Sequence, residues 1–128
     1  MAQSSATFHE DPQSLKPQTM DRHRAIASLM EELEAVDWYD QRIDATHDDE
    51  LRGILMHNRD EEKEHAAMVL EWLRRHDAQF DEQLRDYLFG DKPILQREAE
   101  VEVGEAMTMP AAENGSLGIG SLREAASS

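Results

Sequence analysis

Apolar positions repeat at alternating spacings of four and three residues along two long stretches of the chain. The first stretch carries Ala25, Leu29, Glu32, Val36, Tyr39 and Ile43, and the second carries Leu51, Leu55, Asn58, Glu62, His65, Val69 and Trp72. This period follows one face of an α-helix and predicts two amphipathic helices. The first is predicted from Pro17, a residue suited to a first helical turn, to about Ala45. The second is predicted to start at a capping-box-like Thr46 and Asp49 and to end near His76.

The connection between the two helices is short, which predicts that they lie antiparallel to each other as a hairpin. Each helix has close to 28 residues and a length of about 40 Å. A hairpin this long and thin cannot bury its own apolar stripes. Aromatic residues make up only 5% of the chain and charged residues 32%. We therefore expect a second chain to complete the core.

Polar residues interrupt both apolar stripes. Glu32 lies in the first stripe, and Glu62 and His65 lie in the second. Residues three apart on a helix project from one face, so Glu62 and His65 can bind the same metal ion. On a solvated face of a charge-rich helix, the same spacing would arise by chance. In a packing stripe an unpaired carboxylate costs several kcal/mol, which favours a role as metal ligand.

The polar residues of the two stripes amount to half of a known ligand set. Four-helix bundles that bind two iron atoms use one Glu from each of two helices and a Glu-x-x-His from each of the other two. Two hairpins related by a two-fold axis would bring two copies of Glu32, Glu62 and His65 together. Oxygen and nitrogen ligands suit iron or manganese better than zinc. Tyr39, two turns after Glu32, is placed either beside this metal site or in ordinary core packing.

The charge and composition of the chain restrict its partners. The formal net charge of −15 favours cations and argues against binding to nucleic acid or to an anionic membrane surface. There is no cysteine, which excludes disulfides, zinc fingers and iron–sulfur clusters. The chain has no apolar run long enough to span a bilayer and no N-terminal signal pattern, so we expect a soluble protein that is not secreted.

The rest of the chain is less regular. Asp77 is predicted to cap a third helix that ends at Gly90, and Pro93 is predicted to open a fourth helix ending at about Val101. The third helix carries an apolar face of Phe80, Leu84, Tyr87 and Leu88. The predicted organisation is a flexible arm at 1–16, a helical domain at 17–101, a linker at 102–114, a separate peptide at 115–123 and a disordered end at 124–128.

Several segments together resemble the encapsulated ferritins. They are Glu31 to Asp40 (EELEAVDWYD), His57 to Met68 (HNRDEEKEHAAM), Leu70 to Arg75 (LEWLRR) and the C-terminal tail. The resemblance implies an all-α, ferritin-like two-helix hairpin, half of a four-helix bundle, which is completed by dimerisation. It implies a di-iron ferroxidase centre ligated by Glu32, Glu62 and His65, with Tyr39 nearby, in homodimers that form an annular decamer.

The resemblance also implies two outer groups of metal-binding residues. One consists of Glu31 and Glu34 beside Trp38, and the other of His57, Glu61 and Glu64. Helical spacing places each group on one face, where calcium or other divalent ions could bind. The alternative for both groups is an ordinary solvated helix face.

The C-terminal peptide is distinct from the segments before it. Leu117, Ile119 and Leu122 stand among Gly and Ser without a helical period, as expected for an extended segment that docks into a groove. The peptide resembles those that target cargo to encapsulin shells. The implied partner is an encapsulin shell protein, and the implied location is the lumen of that nanocompartment in a prokaryotic cytoplasm.

The sequence therefore predicts a ferroxidase that oxidises Fe(II) to Fe(III) and supplies iron for mineralisation inside the shell. Two alternatives belong to different classes of protein. One is a buffer that binds divalent metal without redox turnover, and the other is a helical adaptor that uses the tail to carry cargo into the shell.

Overall fold

A computed structural model of the chain describes residues 7–108, which form four α-helices and no strand. The helices are α1 (Pro17–Ala45), α2 (Asp49–Arg75), α3 (Ala78–Tyr87) and α4 (Ile94–Thr108). The predicted all-α class is confirmed, as are the predicted bounds of α1. Within this part of the chain, no helix is both long and apolar enough to cross a bilayer. The described residues up to His76 and those from Asp77 to Thr108 form separate compact units.

The first unit is an antiparallel hairpin of α1 and α2, closed by a three-residue turn. The backbone N–H of Thr46 donates to the carbonyl of Arg42 at 3.0 Å, so Thr46 belongs to the end of α1. The carboxylate of Asp48 accepts from the N–H of Leu51 at 2.8 Å and caps α2. The predicted capping box at Thr46 and Asp49 is therefore wrong. The residue directly before the first turn supplies the cap, because its side chain reaches the free N–H groups there.

Two arginines of α2 connect it to α1. The guanidinium of Arg52 donates to the carbonyls of Ile43, at 3.4 Å, and Thr46, where α1 has run out of helical N–H partners. The guanidinium of Arg59 donates to the carboxylates of Asp40 on α1, at 3.0 Å, and Asp60. Hydrogen bonds to Asp40, which has the larger effect, and to Asp60 raise the pKa of the Arg59 guanidinium. These contacts fix how far α2 is displaced along α1.

Very little of the hairpin is buried in a single chain. Only Ile43, Ala66 and Leu73 fall in the buried class within its described residues, and Leu73 is 2% exposed. Large apolar side chains between 41 and 58% exposed are Ile26, Leu33, Trp38, Leu51, Ile54, Met56 and Met68. An amphipathic helix is stable when its apolar stripe packs on another element. The two helices cover each other along one line and leave an adjacent apolar face open.

The second unit consists of α3 and α4. Asp77 caps α3 by accepting from the N–H of Phe80 at 3.0 Å, as predicted. The helix ends at Tyr87, however, and the predicted stop at Gly90 is wrong, because it is Phe89 that takes the left-handed backbone conformation, with a φ of 63°. The carbonyl of Asp86 accepts from the guanidinium of Arg97 at 2.7 Å, and this bond replaces the one that a longer helix would make.

Helix α4 is longer than predicted. It extends to Thr108, well past Val101, so residues 102–108 of the predicted linker are helical. Glu, Ala and Met, which dominate this stretch, have high helix propensity, and the next proline is Pro110. Residues 109–128, with the predicted peptide at 115–123 and the end at 124–128, lie outside the described part of the chain.

The predicted N-terminal arm contains local structure in its described part. Residues Pro12–Ser14 form a 3-10 turn, and the carboxylate of Asp11 caps it by accepting from the N–H of Gln13 at 3.0 Å. The ring of Phe8 lies 4.5 Å from that of His23 on α1. The absence of helical periodicity therefore did not mean an absence of structure over residues 7–16. The first six residues are outside the described range.

Candidate metal centre

Glu32 of α1 and Glu62 and His65 of α2 converge on the surface of the hairpin. Their ligand atoms all lie within 4.8 Å of one another, and they are the one such group of three among residues 7–108. The Nδ1 atom of His65 lies 3.7 Å from a carboxylate oxygen of Glu32 and 3.8 Å from one of Glu62. The structure thus brings together the three residues singled out in the two stripes.

The positions of these side chains follow from helix geometry and from the register of the hairpin. Glu62 and His65 are one turn apart on α2, so they share a face in any straight helix. Glu32 reaches them only because α1 lies at the right height along α2. The Arg59–Asp40 ion pair, at 3.0 Å, joins positions one turn before Glu62 and two turns after Glu32. This ion pair therefore supports the alignment of the three candidate ligands.

The spacing of the three groups suits a metal ion better than direct hydrogen bonds. The two distances from His65 are too long for hydrogen bonds, which rarely exceed about 3.2 Å for a nitrogen donor. Two donor atoms that bind the same ion at about 2.1 Å lie at most about 4.2 Å apart. The distances from Nδ1 of His65 to the oxygens of Glu32 and Glu62 are both within that limit. The side chains of Glu32, Glu62 and His65 are 24, 25 and 41% exposed, so the group is open on one side.

The chemistry of this donor set is that of a site for hard or borderline cations. Two carboxylates and one imidazole suit iron, manganese or a similar divalent ion. Three protein ligands leave further coordination positions for water, substrate or groups from another chain. One hairpin therefore supplies an incomplete coordination sphere on an exposed face.

Tyr39 lies on the same stripe of α1 as Glu32, two turns further on, and is half-buried. The guanidinium carbon of Arg42 lies 5.6 Å from the centre of its ring. Within residues 7–108, the hydroxyl of Tyr39 makes no hydrogen bond to the three candidate ligands. The place of Tyr39 beside the metal centre remains a prediction.

The outer residues do not assemble into a three-residue metal site within the described part of one chain. Glu31 and Trp38 are exposed and Glu34 is half-buried on α1. On α2, Nε2 of His57 lies in close contact with a carboxylate oxygen of Glu61. The side chain of Glu64 is exposed, and it belongs to no such pair among residues 7–108. Metal binding at either outer group remains a prediction.

Sequence reasoning missed the contacts that three arginines make within the hairpin. Arg52 and Arg59 connect the helices, and Arg42 lies over the rings of both Trp38 and Tyr39. The spacing of Arg42 from the two aromatic residues, four and three positions, was visible in the sequence. The interhelical contacts had no such local signal.

The family model described as EncFtn-like matches residues 7–91. The chain belongs to the EncFtn-like family. Helices α1, α2 and α3 lie within the matched residues, and α4 begins beyond them. The candidate ligands Glu32, Glu62 and His65 therefore lie in the part of the chain that the family model matches.

Individual relatives of this EncFtn-like chain agree with the family assignment. The encapsulated ferritin-like protein of Rhodospirillum rubrum is 60% identical over 96% of this chain and 92% of its own length. A ferritin-like protein of Thermotoga maritima is 51% identical over 90% of this chain and 96% of its own length. The encapsulin nanocompartment cargo protein EncC of Myxococcus xanthus is 44% identical, but over 38% of this chain and 37% of its own.

A crystal structure of protein ne0167 from Nitrosomonas europaea shares the fold of this EncFtn-like chain. The two are 63% identical and superpose with a TM-score of 0.67, over 68% of this chain and 96% of the other. The predicted membership of the encapsulated ferritins and the helical fold class are both confirmed by these comparisons.

Proposed function

We propose that this protein is a ferroxidase that oxidises Fe(II) to Fe(III) at a site formed between two copies of the hairpin. The observation that carries the proposal is the convergence of Glu32, Glu62 and His65 on an open face. Each hairpin supplies three of the six ligands found in di-iron bundle proteins. A two-fold axis beside the open face would supply the other three from a second chain.

The exposed apolar residues of the hairpin support this pairing. Ile54 and Met68 of α2 and Leu33 of α1 are each more than half exposed in a single chain. Burying apolar surface contributes about 25 cal/mol per Å², so a second hairpin that covers them would stabilise the assembly. The pairing is isologous, because the same face of both copies would be in contact. Assembly of such dimers into a ring stays part of the proposal.

The charges of the paired site match its substrate. Two carboxylates from each of two chains give four negative charges, which balance two Fe(II) ions. Oxidation of both ions leaves an excess of two positive charges. The carboxylates, as hard anionic ligands, favour the ferric state, and His65 completes the ligand set of each half. The excess positive charge would favour loss of protons from bound water and release of ferric iron for mineralisation.

The reaction moves one electron from each Fe(II) to an acceptor, molecular oxygen or peroxide. The two electrons from one pair of Fe(II) ions, together with two protons, reduce oxygen to hydrogen peroxide, or reduce hydrogen peroxide to two molecules of water. In this scheme the residues of the chain bind and orient the two iron ions. Tyr39 lies beside the centre, and the carboxylates of Glu31 and Glu34 raise the local concentration of divalent cations. Binding of calcium or another divalent ion at these outer carboxylates, or at His57, Glu61 and Glu64, belongs to the same proposal.

The place of action is proposed from the relatives and from the C-terminal peptide. One relative is named as encapsulated and another as an encapsulin nanocompartment cargo protein. The segment Gly115 to Arg123 carries three apolar anchors among small residues. We infer that it docks onto an encapsulin shell protein and that the chain works in the shell lumen, within a prokaryotic cytoplasm. No nucleic acid or membrane takes part.

Oxygen uptake after addition of Fe(II) tests the proposed activity. The wild-type chain should consume oxygen far faster than Fe(II) alone in the same buffer, and Glu62→Ala should abolish the difference. Glu98→Ala, at an exposed glutamate of α4, removes the same charge outside the candidate site and should have no effect.

The two alternative functions give different results in this assay. A metal buffer would bind Fe(II) in equilibrium dialysis without consuming oxygen. A cargo adaptor would do neither, and Glu32→Ala would leave its assembly and its capture by a shell unchanged.

A further inference from the structure

Arg42 of α1 lies over two aromatic rings at once. Its guanidinium carbon is 5.6 Å from the ring centre of Tyr39 and 5.9 Å from that of Trp38. Both distances are within the range of about 6 Å at which a cation is attracted to the face of an aromatic ring. The spacings of three and four residues place the three side chains next to one another on the helix surface.

The charge of Arg42 is directed to these rings and not to a carboxylate. Arg24, Arg52, Arg59, Arg75, Arg85 and Arg97 all form ion pairs. Within residues 7–108, Arg42 and Arg22 form none, in a chain with 28 acidic residues, and of these two it is Arg42 that lies over aromatic rings. The contacts to Tyr39 and Trp38 are its side-chain interactions in this part of the structure.

The contact with Arg42 is the polar interaction that the side chain of Tyr39 makes among residues 7–108. Tyr39 is half-buried, and its hydroxyl forms no hydrogen bond among the described residues. A tyrosine ring held only by packing can rotate about χ1 and χ2, whereas a cation over its face favours one orientation. Tyr39 lies on the stripe of the proposed iron ligands, and Trp38 lies on the stripe of Glu31 and Glu34. Arg42 therefore contacts one aromatic ring on the stripe of the proposed iron ligands and one on the stripe of Glu31 and Glu34.

We propose that Arg42 is a positioning residue, which holds the rings of Tyr39 and Trp38 and thereby orients Tyr39 beside the iron centre. This inference rests on the proposed function for its effect on rate, but not for its effect on the rings. A cation–π contact at a partly exposed site changes an equilibrium by a factor of about two to five. We expect a loss of similar size in the maximal rate of iron oxidation.

A spectroscopic test separates positioning from activity. The chain has two tyrosines, Tyr39 and Tyr87, so incorporation of 3-fluorotyrosine gives two fluorine resonances. Arg42→Gln should shift the resonance of Tyr39 in the metal-free protein and leave that of Tyr87 unchanged. Arg42→Lys keeps the charge, so its Tyr39 resonance should lie between those of the wild type and of Arg42→Gln. Arg24→Gln, which removes an exposed charge elsewhere on α1, is the matched control and should shift neither resonance.

Kinetics on the same variants test the functional part. Arg42→Gln should lower kcat for Fe(II) oxidation about two- to five-fold with KM unchanged, and Arg42→Lys should recover part of the loss. The proposal is overturned if Arg42→Gln leaves the Tyr39 resonance in place, if lysine restores neither property, or if kcat does not fall. A change confined to KM also overturns it, because that result indicates attraction or repulsion of Fe(II). If the wild type oxidises no iron, the proposed function fails, and the resonances alone decide whether Arg42 positions Tyr39.

Discussion

A mixing experiment tests whether two chains share the metal site. The variant chain carries Glu32→Ala, Glu62→Ala and His65→Ala, so it contributes no ligand. Three ligands per chain and two chains make six ligands in the proposed site. A pair formed from one wild-type and one variant chain keeps three of the six, which is a single half-site. We expect such a mixed pair to oxidise iron no faster than the variant alone.

The expected activity follows from random pairing. When the two chains are unfolded together in equal amounts and refolded, about one quarter of the pairs contain two wild-type chains. A shared site therefore predicts about one quarter of the activity of an all-wild-type sample at the same total concentration. A site contained in one chain predicts about one half. The assay is oxygen uptake after addition of Fe(II), and native mass spectrometry confirms that mixed pairs form.

A matched mixture guards against an effect of refolding itself. Wild-type chains refolded with an equal amount of the Glu98→Ala chain should retain full activity, because Glu98 is an exposed residue of α4. The shared site would be refuted if the mixture of wild-type and triple-variant chains kept one half of the activity while mixed pairs were present. The iron centre would then have to be built from one hairpin.

Three further predictions concern stability, substrate attraction and targeting. Leu73→Ala removes the most buried apolar side chain of the hairpin and should lower the free energy of unfolding by about 2–5 kcal/mol in urea titrations; a loss under 1 kcal/mol would contradict its place in the core. The double variant Glu31→Ala and Glu34→Ala should slow iron oxidation far less than Glu62→Ala does. Its difference in rate from wild type should shrink with added salt, because salt screens charges over about 8 Å at physiological ionic strength. Complete loss of turnover would instead make both residues part of the iron centre. A chain cut after Asn114 should keep its iron oxidation but fail to co-purify with a co-expressed encapsulin shell, and co-purification at the full-length level would rule out the peptide as the targeting signal.

The candidate site has an unusual dependence on a few polar contacts between the helices. Apolar contacts along two long helices are similar at successive turns, so they do not fix the axial register strongly. Arg52 bonds to the end of α1, and Arg59 bonds to Asp40, and a slip of one turn would separate both pairs of groups by about 5.4 Å along the helix axis. A slip of one turn would move Glu32 about 5.4 Å from its place beside Glu62. These arginines therefore matter to the alignment of the three candidate ligands, although they are not ligands themselves.

Local patterns in the sequence determined the long helices and half of the metal site. The period of the apolar stripes predicted α1 with its observed bounds, and predicted α2 within a few residues. Helix geometry alone placed Glu62 and His65 on one face, since that relation depends only on spacing within one helix. Membership of the EncFtn-like family could also be recognised from short motifs. In each case the information lay within a few turns of one helix.

The helix ends were predicted less well, because they depend on single side chains and on contacts from outside the helix. Asp48, and not Thr46, caps α2, and the choice follows from which residue leaves the helical backbone. Helix α3 stops at Tyr87, where the carbonyl of Asp86 bonds to Arg97 of the next helix. No pattern inside α3 contains that contact. Helix α4 continues to Thr108 through Gly104, since the surrounding Glu, Ala and Met favour the helix and the first proline after Val101 is Pro110.

The tertiary structure alone decided that Glu32 meets Glu62 and His65, whereas the spacing that lets Arg42 lie over Tyr39 and Trp38 was in the sequence and only its rotamer was not. Glu32 and Glu62 are 30 residues apart in the sequence. They meet only when α1 and α2 pack with one particular displacement along their axes. The contact of Arg42 with the two rings requires one of several arginine rotamers, whose choice depends on the surroundings. Periodicity in a sequence reports which face of a helix is apolar, but not how far that helix is displaced along its neighbour. The displacement follows from long-range contacts such as Arg59–Asp40, and these exist only in the folded chain.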